Sequence, residues 1–268
     1  MTEQLIRAGF VDLDGTAFRG QWFYEFIKLA VKRGVFKGIA MSKPKQHFHA
    51  YKNRESPFSP WVNAQVNAYQ EDGRLAGISV SDMESVADEL ARKKGKLVHV
   101  FPRELVRAMK EVGWRPAIVS GSMIEAVAAF ARVWGVSIYL GTIQPRDETG
   151  TRYTGGMQKE WCLEKGNAIR LLAETHDLDV ARSLAIGDAM TDVEMFELVK
   201  YPICFNPNQK LLSVARQRQW PVVWERKDVC SFFRPGRDGK LHEVSIDNIL
   251  PKPLATTLEE RLTKRFAP

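Results

Sequence analysis

Short apolar runs alternate along most of the chain with segments that show helical spacing. The apolar runs have the length of β-strands and end near Asp12, Ser120, Leu140, Gly187 and Phe205. Helical spacing fills the intervals, at residues 103–112, 124–134, 167–175, 192–200 and 209–217. Because alternating strands and helices are typical of βαβ units, the pattern predicts an α/β fold in which helices cover both faces of a parallel sheet.

Two regions depart from this alternation. Between residues 17 and 98, helical segments at 22–31 and 80–90 flank a stretch broken by Pro44, Pro57 and Pro60, which predicts a separate and mainly helical module. After residue 225, turn dipeptides at 235–236 and 238–239 predict a hairpin, followed by either a loosely held arm or a packing segment. A further hairpin is predicted at residues 147–155. We therefore predict three parts: a core (1–16 and 99–225), an inserted module (17–98) and a C-terminal extension (226–268).

The composition is that of a globular protein. Its 268 residues are 44% hydrophobic and 26% charged, which is enough for one substantial core and a smaller module. No apolar segment approaches the length of a membrane span, and residues 1–4 lack a secretory pattern. The cysteines at positions 162, 204 and 230 form no close pair, which favours a reducing cytoplasm over a disulfide or zinc framework. We therefore expect a cytoplasmic protein.

Most of the net charge of +7 falls within the inserted module. Residues 17–98 contain fourteen Lys or Arg against eight Asp or Glu, an excess of six positive charges. A positive module attracts anionic substrates, and this attraction weakens with added salt. The basic run at residues 92–96 is interpreted as a solvated helix face.

Paired carboxylates follow the first apolar run. Asp12 and Asp14 lie one residue apart at the end of the predicted strand, and Gly15 marks a sharp exit from it. Two carboxylates this close repel each other unless a cation, a proton or a hydrogen bond compensates one of them. The pair therefore predicts a metal site at the strand end.

Three later segments supply the other groups that phosphoryl transfer needs. Ser120 and Gly121 end the second apolar run, where a hydroxyl and the N–H groups of a turn suit a phosphate. Lys165 opens a helical segment, and Asp188 and Asp192 follow another strand-like run. Because ligands gather at the carboxyl ends of parallel strands, we expect these groups to form one site.

The order of these motifs resembles that of the haloacid dehalogenase-like phosphatase superfamily. The chain contains Asp-x-Asp-x-Thr from Asp12, Ser-Gly-Ser from Ser120, Lys-Gly from Lys165 and Gly-Asp-x-x-x-Asp from Gly187. It is most similar to the phosphoserine-phosphatase-like branch (subfamily IB), whose mobile cap is inserted between the first and second motifs. The resemblance implies a Rossmann-like core and identifies residues 17–98 as the cap.

Chemical need and the resemblance together assign a role to each group. A phosphomonoester dianion repels an anionic nucleophile, so attack by a carboxylate requires a divalent cation, for which Mg²⁺ fits best. Asp12 is predicted to be the nucleophile that forms an aspartyl-phosphate, and Asp14 the general acid and base. The expected metal ligands are the carboxylates of Asp12 and Asp188 and the backbone carbonyl of Asp14. The groups expected to hold the phosphoryl group are Ser120, Gly121 and Lys165, and those expected to support the site are Thr16 and Asp192.

The cap departs from the phosphoserine phosphatases at one position. Those enzymes place a glutamate a few residues beyond the first motif, where it meets the ammonium group of the substrate, whereas this chain has Gln21 there. A neutral amide suits an ammonium group poorly, so we expect a larger or more anionic phosphoester than free phosphoserine. Arg54 and Arg74 are further candidates for substrate contacts.

These observations favour a Mg²⁺-dependent phosphatase that acts on a small organic phosphomonoester. One alternative is a phosphotransferase that passes the same aspartyl-phosphate to an alcohol. A second is a basic protein that binds nucleic acid or anionic lipid through the cap and the tail. The charge is diffuse and forms no Lys/Arg-rich block, so nucleic acid is not expected as a partner. A homodimer is a further alternative for the assembly.

Overall fold

The computed structural model describes residues 5–37, 42–53, 55, 63–64, 75–155, 164–227 and 229–266. Its centre is one sheet formed by β1 (Ile6–Asp12), β2 (Arg115–Met123), β3 (Ile138–Thr142), β4 (Leu178–Gly187), β5 (Tyr201–Phe205), β6 (Val222–Arg226), β7 (Val229–Pro235) and β8 (Leu241–Glu243). The order across the sheet is β3-β2-β1-β4-β5-β6-β7-β8. Pairing is parallel from β3 to β6 and antiparallel from β6 to β8. The predicted α/β fold with a parallel sheet is confirmed.

Helices surround this sheet and form the cap. They are α1 (Trp22–Lys32), α2 (Ser42–Lys52), α3 (Val80–Lys94), α4 (Val100–Glu111), α5 (Ile124–Trp134), α6 (Lys165–His176), α7 (Val193–Phe196), α8 (Gln209–Arg218) and α9 (Lys252–Phe266). The first three belong to the cap, so its described part is helical as predicted. None of the described helices is long and apolar enough to span a membrane.

The sheet is apolar on both faces, which is why helices must cover both. Phe10 and Val11 are adjacent on β1 and both fully buried, yet they pack into different hydrophobic clusters. Successive side chains of a strand point to opposite faces, so the uninterrupted apolar run of β1 serves two cores at once. One cluster contains the cap and the helices α4, α5 and α9, and the other contains α6, α7 and α8.

The strand register places the predicted motifs at one edge. Asp12 pairs with Val119 of β2, and Val11 pairs with Ile186 of β4. Asp12 therefore lies beside both Ser120 and the segment that leads to Asp188. The parallel arrangement of β2, β1 and β4 brings the ends of all three strands together.

Trp22 anchors the cap to the core. This side chain is fully buried, and its indole N–H donates a hydrogen bond of 2.9 Å to the carbonyl oxygen of Ala126 on α5. The rings of Phe18 and Phe130 pack edge to face against the indole, with centroids 4.9 Å and 5.1 Å away. A buried indole with a satisfied N–H fixes the first turn of α1 on the core.

One predicted helix is shorter than expected. A 3₁₀ turn, Met190–Asp192, leads into α7, which ends at Phe196, so the prediction of a helix through residue 200 was wrong. Strand β5 begins at Tyr201, and its second residue is Pro202. Because the residue before a proline is disfavoured in the helical region, the chain becomes extended at Tyr201.

The tail is part of the packed structure. Strands β7 and β8 form the predicted hairpin and extend the core sheet beyond residue 225. Helix α9 packs against α4, with Leu254, Leu258 and Leu262 buried. Arg261 and Arg265 donate hydrogen bonds of 2.9 and 3.2 Å to the buried carboxylate of Glu104 on α4. Of the two alternatives for the end of the tail, the packing segment is correct and the loosely held arm is wrong.

The hairpin predicted at residues 147–155 is also present. Arg146 and Tyr153 form an antiparallel bridge, and the side chain of Tyr153 is buried. A second antiparallel bridge joins Ser79 of the cap to Arg152. The hairpin therefore contacts the segment that leads into α3.

Replacing Leu258 with alanine should lower the free energy of unfolding by about 2–5 kcal/mol, because it leaves a cavity in the interface between α9 and α4. Urea unfolding followed by circular dichroism measures this change. Glu260→Ala is the matched control, since Glu260 is exposed on the same helix, and its effect should stay below about 0.5 kcal/mol. Equal stability of the two variants would show that α9 is not held on the core.

Candidate active site

A cleft of about 740 Å³ opens between the carboxyl edge of the sheet and the cap. Asp12 and Asp14 at the end of β1, Asp188 after β4 and Lys165 at the start of α6 line its floor. They come from three segments that are distant in sequence. The fold therefore brings together four of the residues that the motifs identified.

Lys165 joins two of the carboxylates. Its ammonium group donates hydrogen bonds of 2.5 Å to Asp12 Oδ1 and 2.5 Å to Asp192 Oδ1, and all three side chains are buried. Burial, with smaller contributions from the carboxylates of Asp192 and Asp14, raises the pKa of Asp12 to about 7 against the opposing effect of Lys165. Burial alone would lower the pKa of Lys165, but Asp12 and Asp192 outweigh it and raise that pKa. The lysine is therefore cationic.

Asp14 is held by three donors. Its Oδ2 accepts hydrogen bonds of 3.0 Å from the hydroxyls of Ser120 and Ser122, and its Oδ1 accepts one of 3.1 Å from the backbone N–H of Phe23. Burial raises the pKa of Asp14, while these hydrogen bonds oppose the rise. Because Phe23 lies in α1, the first turn of the cap helix directly contacts a carboxyl group of the core.

Asp188 and Asp192 lie close to Asp12. One carboxylate oxygen from each of the three residues lies within 4.8 Å of the other two. Burial, together with the charges of Asp12 and Asp192, raises the pKa of Asp188 well above its usual range. Asp192 also accepts a 3.0 Å hydrogen bond from the backbone N–H of Ala189, and this second contact holds its carboxylate in place.

The donor set fits a hard divalent cation. Carboxylate oxygens are the ligands that Mg²⁺ prefers, and a cation would relieve the repulsion that raises the pKa values of Asp12 and Asp188. The three clustered carboxylates are not the predicted set of metal ligands, because the cluster contains Asp192 and the predicted set contains Asp14. The predicted contribution of Asp14 is its backbone carbonyl, and Asp192 is engaged by Lys165. Because Lys165 bonds Asp12 as well as Asp192, its contacts do not select two ligands from the three carboxylates, and the choice of Asp12 and Asp188 stays a prediction.

The other predicted residues occupy several environments. Ser120 is fully buried and its hydroxyl points to Asp14, whereas Gly121 lines the cleft. Thr16 is fully buried, and its hydroxyl has no hydrogen-bond partner among the described residues. Gln21 lines the cleft at the N-terminus of α1. Arg54 and Arg74 lie outside the described residues.

Ser122 and Lys94 are among the polar residues of the cleft that sequence reasoning missed. Ser122 lines it and contacts Asp14, and the second serine of Ser-Gly-Ser is the signal that identifies it. Lys94 was included in the solvated run, but it lines the cleft and forms a 2.7 Å ion pair with Glu25. Its position one helical turn after the buried Leu90 places it on the inner face of α3.

Sequence reasoning also missed most of the aromatic composition of the cap wall. The rings that line the cleft are Phe18, Phe23, Tyr24, Phe48 and Tyr51. Phe48 and Tyr51 lie three residues apart on α2, which places them on one helix face. That spacing was a signal in the sequence, but which way the face points depends on the packing of α2.

Comparison with known proteins gives a consistent result. Residues 10–197 match the family model described as haloacid dehalogenase-like hydrolase. A putative hydrolase of Mycobacterium leprae is 26% identical over 225 residues, covering 81% of this chain and 72% of the relative. A phosphoserine phosphatase of Mycobacterium tuberculosis is 29% identical over 153 residues, covering 56% of this chain and 48% of the relative. The chain thus spans about half the length of this second relative.

The fold itself is found in a solved structure. A protein with unknown function from Bordetella pertussis Tohama I aligns with a TM-score of 0.64 and 23% sequence identity. The alignment covers 82% of this chain and 98% of the other. The fold is therefore shared at low sequence identity.

Replacing Lys165 with methionine should lower the free energy of unfolding by about 3–5 kcal/mol at pH 7 in the presence of a chelator, because Asp12 and Asp192 lose their shared buried counter-charge. Chemical denaturation at constant pH measures this loss. The control Lys165→Arg keeps the positive charge, so its free energy of unfolding should fall by less than that of the methionine variant. A methionine variant as stable as the unchanged protein would contradict the role of Lys165 in compensating these carboxylates.

Proposed function

Because the chain belongs to the haloacid dehalogenase-like hydrolase family and to its phosphoserine-phosphatase-like branch, we propose that it is a Mg²⁺-dependent phosphatase acting on a small organic phosphomonoester. One observation carries the proposal. The carboxylate of Asp12 lies on the cleft floor with the Lys165 ammonium 2.5 Å away and Asp188 beside it. This arrangement supports the proposal, because the reaction needs a nucleophile, a fixed cation and a metal ligand around one position.

The charges of the cleft address the main obstacle to the reaction. A phosphomonoester dianion repels an attacking carboxylate, so positive charge must offset both. Mg²⁺ held by Asp12, Asp188 and the Asp14 carbonyl would supply Lewis acidity and neutralise charge on the phosphoryl group. Lys165 adds a permanent positive charge from the protein side, where it pairs with Oδ1 of Asp12.

Asp12 is the proposed nucleophile. One of its carboxylate oxygens attacks phosphorus, the ester P–O bond breaks, and the phosphoryl group is transferred to give an aspartyl-phosphate. Its position at the carboxyl end of β1 puts its carboxylate at the cleft floor. A second attack at phosphorus, by water, breaks the new P–O bond and restores the Asp12 carboxylate.

Asp14 is the proposed proton carrier. It protonates the leaving alkoxide in the first step and takes a proton from the attacking water in the second, so the protons balance over the cycle. Its raised pKa favours the protonated form that the first step needs. Ser122 and the N–H of Phe23 orient the carboxyl group toward the cap side of the cleft, where the leaving group would lie.

The phosphoryl oxygens need donors that replace water. We assign these contacts to the backbone N–H of Gly121 and to the Ser120 hydroxyl, with Lys165 as the charged partner. Gly121 already lines the cleft. The Ser120 hydroxyl donates its hydrogen bond to Asp14, so it must turn away from Asp14 to donate to a phosphoryl oxygen.

Asp12→Asn should lower kcat roughly 10³-fold or more with little change in fold, because it removes the nucleophile without changing the side-chain volume. A steady-state assay of inorganic phosphate release, with circular dichroism to check the fold, measures this. The control is Asp82→Asn on the exposed face of α3, which should retain full activity. Retention of most activity by the Asp12 variant would rule out the aspartyl-phosphate route.

Removal of divalent cations should abolish activity, and added Mg²⁺ should restore it. Ca²⁺ should restore much less, because its larger and more flexible coordination sphere misplaces the phosphoryl group. Phosphate release in the presence of a chelator, followed by titration with each cation, tests this expectation. Full activity in excess chelator would contradict the metal assignment. Transfer of phosphate to added alcohols in the same assay would indicate the phosphotransferase instead.

A further inference from the structure

The cleft is larger than a phosphoryl group and a short alcohol would fill. Its volume of about 740 Å³ lies within the range of sites that enclose most of a drug-sized molecule, about 300–1,000 Å³. The acidic floor occupies one end. The remaining space lies under α1 and α2 of the cap, where the leaving group of a substrate would extend.

The wall of that space is aromatic. Tyr24 of α1 and Phe48 of α2 stack with their centroids 5.0 Å apart and an angle of 27° between the ring planes. Tyr51, one turn after Phe48, is 39% exposed, and Leu97 at the rim is 53% exposed. Large apolar side chains clustered in a cleft indicate a binding surface, and rings bind other rings by stacking or edge contacts.

The aromatic wall begins beside the proposed proton carrier. The backbone N–H of Phe23 donates to Asp14 at 3.1 Å, and Tyr24 is the next residue of α1. The oxygen that Asp14 protonates is the one that joins phosphorus to the leaving group. The atoms beyond that oxygen therefore face Gln21 and the rings that follow it.

The charges at this end disfavour a cationic leaving group. At the cap end of the cleft, away from the acidic floor, the acidic side chain among the described lining residues is that of Glu25. It forms a 2.7 Å ion pair with Lys94. Arg19 and Lys28 also line the cleft, and neither forms an ion pair with a described residue. The Gln21 amide is neutral and has no hydrogen-bond partner within the described chain. Among the described lining residues at this end, an ammonium group would meet like charge and no unpaired carboxylate.

We infer that the substrate is a phosphomonoester whose leaving group carries a planar aromatic ring and no ammonium group. The ring lies against Tyr24 and Phe48, and Gln21 contacts the atoms between the ring and the ester oxygen. This inference rests on the proposed phosphatase function, since it assigns the leaving group of that reaction.

The test compares esters of primary alcohols in the presence of Mg²⁺. These are 2-phenylethyl phosphate, 2-cyclohexylethyl phosphate and phosphoethanolamine. The first two differ in the ring alone, so their intrinsic reactivities are close. The phenyl ester should have a kcat/KM about three- to tenfold above that of the cyclohexyl ester, the range of aromatic pair energies. It should exceed phosphoethanolamine by about tenfold or more, because that substrate buries no ring and carries an ammonium group.

Variants connect this preference to the wall. Tyr24→Leu and Phe48→Leu remove a ring and keep an apolar side chain, so each should bring the phenyl-to-cyclohexyl ratio close to one. Gln46→Ala, at an exposed position of α2 outside the cleft, is the matched control and should leave the ratio unchanged. Gln21→Glu should raise kcat/KM for phosphoethanolamine relative to the phenyl ester. A ratio of two substrates is insensitive to partial loss of folded enzyme.

The outcomes separate the inference from the function on which it rests. Comparable hydrolysis of the three esters would overturn the aromatic leaving group and leave the phosphatase in place. If no ester is hydrolysed, the proposed function fails, and calorimetric titration of the Asp12→Asn variant then decides the inference. Tighter binding of 2-phenylethyl phosphate than of its cyclohexyl analogue would support the aromatic wall, and equal affinities would overturn it.

Discussion

The mutual repulsion of buried carboxylates is the constraint around which the site is organised. Asp12, Asp188 and Asp192 each bring an oxygen within 4.8 Å of the others, and Lys165 compensates two of them. The backbone at Gly187 also lies very close to one of these carboxylates. A Cβ atom at Gly187 would lie 2.2 Å from Asp192 Oδ2, so a side chain there would displace the carboxylate. The remaining negative charge is what a divalent cation would offset under the proposed function.

The cap and the proton carrier depend on the same helical turn. Trp22 donates its indole N–H to Ala126 of the core, and the neighbouring Phe23 donates its backbone N–H to Asp14. The first turn of α1 is therefore held on two sides. Since Gln21 and Tyr24 belong to this turn, the residues that would contact a leaving group are fixed relative to the group that would protonate it.

Sequence patterns predicted the elements that local chemistry decides and missed those that packing decides. The apolar run of β1 and the motif around Asp12 could be recognised in the sequence because residues next to each other in the chain carry the whole signal. Helix α9 could be given only as one of two alternatives, because its stability comes from burying three leucines against α4. Lys94 was assigned to solvent, because the sequence does not show that Glu25 lies opposite it.

By itself the sequence determined the alternation of strands and helices and the insertion of a helical module after β1, and it pointed to the acids, the serine and the lysine of the candidate site. These are local properties of the chain. The tertiary structure decided which groups meet: Ser122 with Asp14, Lys165 with both Asp12 and Asp192, and Tyr24 with Phe48. It also decided the raised pKa values of Asp12 and Asp14. Burial and the distances between residues far apart in sequence set these properties, and both exist only once the sheet and the cap have assembled.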